Sequence, residues 1–277
     1  MEKFQLQLFL QIIGIGSASG LLYKDNSLFI IGDNSGFLYE YTLDPKELKR
    51  HALIENPSEN ILKKDKPDFE AIAYSGNTFY VFGSGSTENR TTMIEVDAKT
   101  KKISTTVDLF NLYNTMQSFG GINPEDFNIE SAVFTDKNWF LFNRGNGISN
   151  KNTVFTVQGK DLRYEFSILS NDYELPKING IPTSFTDAVV VGDKIYFLAT
   201  AENTISTYLD GEVHGSLIGR LDIEKMEIDF TQKISDTHKF EGITLYKNYK
   251  SKIEFLLCED NDSDVLQSDI YLLSLSK

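Results

Sequence analysis

Apolar residues along this chain come in short runs, each closed by a polar break, and the runs recur at a near-constant interval. Four segments share one order of acid, small residue and apolar β-rich run: D-F-E-A-I-A-Y from Asp68, N-I-E-S-A-V-F from Asn128, F-T-D-A-V-V-V from Phe185 and K-F-E-G-I-T-L from Lys239. After a polar break each is followed by a second apolar run: T-F-Y-V-F after Asn77, W-F-L-F after Asn138, I-Y-F-L after Lys194 and I-E-F-L-L after Lys252. A fifth copy, S-A-S-G-L-L-Y over Ser17 to Tyr23, precedes S-L-F-I-I from Ser27 and carries Ser19 at the acid position. Such short apolar runs bounded by turn residues predict buried strands.

The anchors Ser19, Glu70, Glu130, Asp187 and Glu241 are 51, 60, 57 and 54 residues apart. The 36 residues after Glu241 and the 18 before Ser19 together make 54, one more period. The repeat therefore closes on itself. Within the second unit the pattern predicts strands over Phe69–Tyr74, Thr78–Phe82, Thr91–Val96 and Lys102–Val107, joined by Ser-Gly-Asn, Gly-Ser-Gly and Asp-Ala-Lys-Thr turns. Radially repeated four-stranded units of about 40–50 residues are propeller blades. The expectation is an all-β, five-bladed β-propeller over residues 1–277. The alternating strand Phe4–Ile13 would complete the last blade and fasten the ring. A sandwich is the alternative, but it explains neither the shared acid nor the closure. No long segment shows clean helical periodicity.

The inner strand of a blade lines the central channel, so the five anchors should ring its mouth at one level. Four carboxylates about 8 Å apart, at an effective dielectric of ~20, repel by about 2 kcal/mol per pair. Either some are protonated or a cation sits among them. Oxygen ligands without His or Cys favour a hard ion, and a loose ring favours Ca²⁺ over Mg²⁺. The metal reading takes Ser19, Glu70, Glu130, Asp187 and Glu241 as ligands. The alternative is that the acids cap backbone N–H groups of neighbouring blades.

Loops between second and third strands should open on the same face. They supply Asp33 and Asn34, Ser84, Glu88 and Arg90, Asn143 and Arg144, Glu202 and Asn203, and Glu259 and Asp260 as candidate ligand-binding residues. Ordinary turn chemistry explains any one of these loops. Arg90 and Arg144 suit phosphate or carboxylate oxygens, although each also reads as a surface salt bridge. Together with a central cation they would make a site for a small anion or phosphate ester.

Composition narrows the classes. Lys plus Arg is 27 against 40 Asp plus Glu, a net charge of −13, which argues against nucleic acid and anionic membranes as partners. One Cys excludes an internal disulfide framework, and Cys258 and Trp139 read as core. His51, His214 and His238 show no ligand spacing, and Lys63-Lys64-Asp65-Lys66 reads as a solvated run. Gln5, Gln7 and Gln11 interrupt the first apolar stretch, which is therefore neither a signal core nor a membrane helix. The expected location is the cytoplasm.

The segments S-G-L-L-Y from Ser19, F-E-A-I-A from Phe69, I-E-S-A-V-F from Ile129 with W-F-L-F-N-R from Trp139, and F-E-G-I-T from Phe240 resemble those of calcium-activated nucleotidases, the apyrase propellers. The F-E-G-I segment is also similar to phytase-like and uncharacterised bacterial propellers. This resemblance implies a central Ca²⁺ held by the five anchors, with Arg144 contacting phosphate. It also implies a Ca²⁺-dependent phosphoester or phosphoanhydride hydrolase with Glu70 or Glu130 as general base. The chain departs from that pattern: Asp33-Asn34-Ser35-Gly36 lacks the family's arginine, and Ser86-Thr87-Glu88-Asn89 lacks its Lys-Glu-Trp. A binding propeller with a central Ca²⁺ under a polar, ligand-binding face is therefore the first functional reading, and the hydrolase is the alternative.

Overall fold

The computed structural model describes residues 3–135, 137–164, 167–207, 211–260 and 265–277. After β1 (Phe4–Ile13), the chain builds blade 1 from β2 (Gly20–Lys24), β3 (Ser27–Ile31), β4 (Phe37–Leu43) and β5 (Lys46–Ala52). Blade 2 is β6 (Phe69–Ser75), β7 (Thr78–Gly83), β8 (Thr92–Asp97) and β9 (Ile103–Asp108). Helix α1 (Phe110–Gly120) leads to blade 3: β10 (Ile129–Phe134), β11 (Asn138–Asn143), β12 (Asn152–Gln158) and β13 (Ile168–Tyr173). Blade 4 is β14 (Thr183–Val191), β15 (Lys194–Asn203), β16 (Glu212–Asp222) and β17 (Glu227–Lys233). The last blade is β18 (Phe240–Asn248), β19 (Lys252–Glu259) and β20 (Gln267–Ser276), with β1 as its outer strand. This is the five-bladed propeller expected, closed by Phe4–Ile13 as expected. The blade 2 strands fall within a residue of their predicted starts and ends.

Each blade buries both faces, and the apolar layers between blades hold the ring together. One buried cluster fills each junction: Phe29, Phe69 and Val81 between blades 1 and 2, Phe82, Trp139 and Phe155 between 2 and 3, and Phe142, Phe185 and Phe197 between 3 and 4. Tyr196, Phe240 and Phe255 fill the next, and Ile12, Leu28 and Cys258 fill the closing junction between blades 5 and 1. The second strands, such as T-F-Y-V-F-G in β7, are buried along nearly their whole length because a neighbouring blade covers each side. The outer strand β5 is exposed along most of its length, with Leu48 and His51 half-buried. Among the described residues no helix is long and apolar enough to cross a membrane.

Three local expectations need correction. Helix α1 went unrecognised, although Leu112, Tyr113, Met116 and Gly120 form a buried helical stripe and Asp108 caps Phe110 N through Oδ1 at 2.9 Å. Gly121 ends the helix in the left-handed region at φ 59°. The presumed loop Thr200–Asn203 is strand, the end of β15. Lys66 is not a solvated charge: its side chain is only 10% exposed and is paired with Asp33 and Asp68.

β1 packs on the closing layer through Phe9, Leu10 and Ile12 and on the layer between blades 4 and 5 through Phe4 and Leu6, so buried and exposed positions along it should differ sharply. Ile12→Ala, at a fully buried position, should cost about 2–5 kcal/mol. Leu8→Ala, at a half-exposed one, should cost no more than about 0.5 kcal/mol. Equilibrium urea denaturation of both variants checks this, and equal losses would contradict the closure described here.

Candidate functional site

The inner strands β2, β6, β10, β14 and β18 touch one another in a ring. At the start of four of them the register slips by one residue. The slip lies between Phe69 and Ala71, Ile129 and Ser131, Phe185 and Asp187, and Phe240 and Gly242. The extra residues of these bulges are Glu70, Glu130, Thr186 and Glu241. The structurally equivalent position in blade 4 is therefore Thr186, and Asp187 lies one residue further along. A period-2 strand turns a side chain elsewhere on a one-residue shift. Asp187 accordingly accepts Ser131 Oγ at 2.8 Å and Ile243 N at 2.7 Å, tying three inner strands together. Ser19 accepts Asp33 N at 2.8 Å through Oγ. At these two anchors the capping chemistry is what the geometry displays.

Glu70, Glu130 and Glu241 instead line an axial pocket of about 60 Å³. Its charged lining comprises the carboxylates of Asp33, Asp68, Glu70, Glu130, Glu202, Glu241 and Asp260, with Lys63, Lys66, Arg90, Arg144 and Lys239. Seven acids against five bases leave an excess of two negative charges when all are ionised. Arg144 is the hub of one half. It donates to Glu202 Oε2 at 2.6 Å, Glu130 Oε1 at 3.3 Å, Glu241 Oε1 at 3.4 Å and Ser184 Oγ at 3.3 Å. Lys239 adds contacts to Asp260 at 3.0 Å and Glu241 at 3.1 Å. In the other half Arg90 donates to Asp68 and Ser86, each at 2.9 Å, and to the Lys63 carbonyl at 2.8 Å. Arg90 is thus a buried ion pair, not a surface one, and both guanidinium groups spend their donors on protein oxygens.

Acceptors outnumber donors at one place. Asp33, Asp68 and Glu70 offer carboxylate oxygens within 4.8 Å of one another. Lys66 bridges Asp33 and Asp68, reaching Asp68 Oδ1 at 2.7 Å. Asp33 Oδ1 and Asn146 Oδ1 are buried without a partner. Glu70 is buried against the pocket, and no described residue donates a hydrogen bond to its carboxylate. Burial, Glu130 and Asp68 push the Glu70 carboxyl well above the usual range. Glu241 is raised by burial and Asp260 against the pull of Lys239. Asp68, although burial opposes it, is held low by Lys66 and Arg90.

The remaining candidates lie elsewhere. Ser84 donates to Asp68 and braces it. Asn143 accepts Asn128 N at 2.9 Å, shaping the blade 3 loop. Glu259 pairs with His238 at 2.7 Å, and Glu88 lines a second cavity beside α1. Asn34 and Asn203 do not line the axial pocket. Of the loop Glu259–Asp262, residues 261 and 262 lie outside the described residues. The lining residues not singled out in sequence include Asp68, Asn128 and Lys239, each two positions before an anchor glutamate. Residues two apart share a strand face, so this repeated polar position was a readable signal.

Fold and site together define a five-bladed propeller with a buried, acid-rich ion-pair network on its axis. The chain belongs to the family described as "Family of unknown function (DUF6929)", whose model matches residues 14–275. No curated protein matches it. The major allergen Mala s 1 of Malassezia sympodialis superposes with a TM-score of 0.60 at 10% identity, covering 96% of this chain and 95% of that one. The glutaminyl cyclase of Myxococcus xanthus does so with a TM-score of 0.55 at 10% identity, covering 98% and 97%. Both likenesses concern the fold alone. The resemblance to apyrase and phytase-like propellers finds no support beyond that shared architecture.

A buried acid with a raised folded-state pKa stabilises the protein below its unfolded value, near 4.3, and loses that contribution as pH rises through the folded value. In chelator at pH 8, Glu70→Gln should therefore melt at a higher temperature than the unaltered protein, with the gap closing toward pH 5. Calorimetric melting across that range is the measurement, and a lower melting temperature for the variant at pH 8 would contradict the assignment.

Proposed function

We propose that the protein is a binding propeller whose axial pocket takes a cation from the open face, and that Ca²⁺ is the ion its donors fit. The observation that carries this reading is the surplus of acceptors. Among the described residues Asp33 Oδ1 and Asn146 Oδ1 are buried without a donor and none donates to the Glu70 carboxyl, in a pocket whose described lining sets seven acids against five bases. All three are oxygen ligands, which favour a hard divalent ion. Asp33, Asp68 and Glu70 would hold it, in place of the five anchors read from sequence. Lys66, already on two of these acids, acts as the competing internal cation.

The phosphohydrolase alternative draws less support. Its arginine, Arg144, is committed to three carboxylates and a serine, and a pocket of about 60 Å³ holds one or two waters or an ion rather than a phosphate ester.

Two substitutions should move Ca²⁺ affinity in opposite directions. Glu70→Gln should weaken binding at least tenfold, and Lys66→Gln should tighten it several-fold by removing a like charge. Isothermal titration with Ca²⁺, alongside the Ca²⁺-induced rise in melting temperature, reads both. Absence of binding in the unaltered protein, or the same response from both variants, would refute the proposal.

A further inference from the structure

In an antiparallel blade whose first strand begins at one face, loops joining strands two and three and links joining one blade to the next all emerge on that face. The axial pocket opens there. Three of these segments place a large aliphatic side chain in solvent beside a pocket-lining residue. Leu62, 66% exposed in the link between blades 1 and 2, adjoins Lys63. Ile205, 76% exposed after β15, adjoins Ser206. Ile148, 77% exposed after β11, lies two residues beyond Asn146. The β15–β16 segment reaches across to the link before blade 3, where Thr207 Oγ1 donates to Glu125 O at 2.9 Å. The 1–2 hairpins of blades 1, 2 and 4, on the opposite face, carry polar turns at Asp25-Asn26, Gly76-Asn77 and Gly192-Asp193.

Single exposed aliphatics are ordinary on protein surfaces. Three in segments that each supply a lining residue of one small acidic pocket, drawn from three different blade connections, form an arrangement suited to docking: apolar contact outside and a charged anchor inside. The charge of the occupant follows from complementarity. The described lining of the pocket sets seven acids against five bases and holds buried acceptors without a described donor, and the chain as a whole carries −13. Such a field draws in cationic partners and repels acidic ones.

We propose that the open face docks a protein partner that lays apolar side chains on Leu62, Ile148 and Ile205 and directs the ammonium group of one lysine into the axial pocket. This rests on the pocket's taking a cation, and makes Ca²⁺ and the partner's basic side chain competitors for the same acceptors.

The test uses three fluorescein-labelled, amide-capped pentapeptides, Gly-Leu-Lys-Leu-Gly, Gly-Leu-Glu-Leu-Gly and Gly-Ser-Lys-Ser-Gly, titrated with the full chain and followed by anisotropy. The Leu-Lys-Leu peptide should bind at least tenfold more tightly than either control and should be displaced by Ca²⁺. The double variant Ile148→Ser, Ile205→Ser should lose at least tenfold in peptide affinity while its melting temperature and Ca²⁺ titration stay unchanged. Equal binding of all three peptides, no binding by any, or an affinity indifferent to the double variant would overturn the inference. A self-association seen by sedimentation and abolished by the double variant would overturn it too, by assigning the rim to a second copy. Calcium titrated without peptide separates the two readings. Ca²⁺ binding with no peptide selectivity sinks only the docking, and selective peptide binding without Ca²⁺ binding sinks only the metal.

Discussion

Everything on the axis follows from how the blades hide their apolar faces. A four-stranded sheet with two apolar faces cannot stay exposed on either side, and here each face is buried against the next blade through an aromatic-rich layer. Five such layers close a ring, with Ile12 of β1 completing the last one beside Cys258. Ring closure leaves the inner strands no choice of position. Their first residues converge on the axis, and any charge placed there must find a counter-charge within the same small volume. Apolar packing thus sets the electrostatic problem that the polar residues solve.

The solution is mostly internal. Arg144 from the third blade reaches carboxylates of the third, fourth and fifth blades, so one buried guanidinium links three units. Lys239 and Lys66 serve neighbouring acids in the same way. Breaking such a buried pair is costly because the surviving partner stays desolvated. The residual imbalance is concentrated around Glu70, where the like charges of Glu130 and Asp68 add to burial. It is beside this imbalance that the proposed cation would sit, against Asp33, Asp68 and Glu70.

Much of the architecture could be read from the chain. The recurring acid–small–apolar order marked the inner strands, and the near-equal spacing with its circular remainder marked the closure by Phe4–Ile13. The site was only half legible. Glu70, Glu130, Glu241 and Arg144 were found because they sit in the repeat or just after it. Asp187 was misplaced because F-T-D offers two polar residues in a row, and only the bulge between Phe185 and Asp187 decides which one occupies the anchor position. Lys66 reads as solvated within a run of charges because its burial depends on Asp33, which comes from the blade 1 loop, as well as on Asp68 two positions further on. Helix α1 shows its apolar stripe and its Asp108 and Gly121 ends in the sequence, but it is a single helix inserted between blades and belongs to no repeat. The helix matters to the site: Tyr113 Oη donates to Gly83 O at 2.8 Å, bracing the start of the loop that carries Arg90.

The central claim is that the carboxylates of Asp33, Asp68 and Glu70 receive a cation. Diffraction from crystals grown with Ca²⁺, recorded where calcium scatters anomalously, addresses it directly. The claim predicts an anomalous peak in the axial pocket with oxygens of these carboxylates at about 2.3–2.6 Å. A pocket without such a peak, in which Lys66 still bridges Asp33 and Asp68, would contradict it.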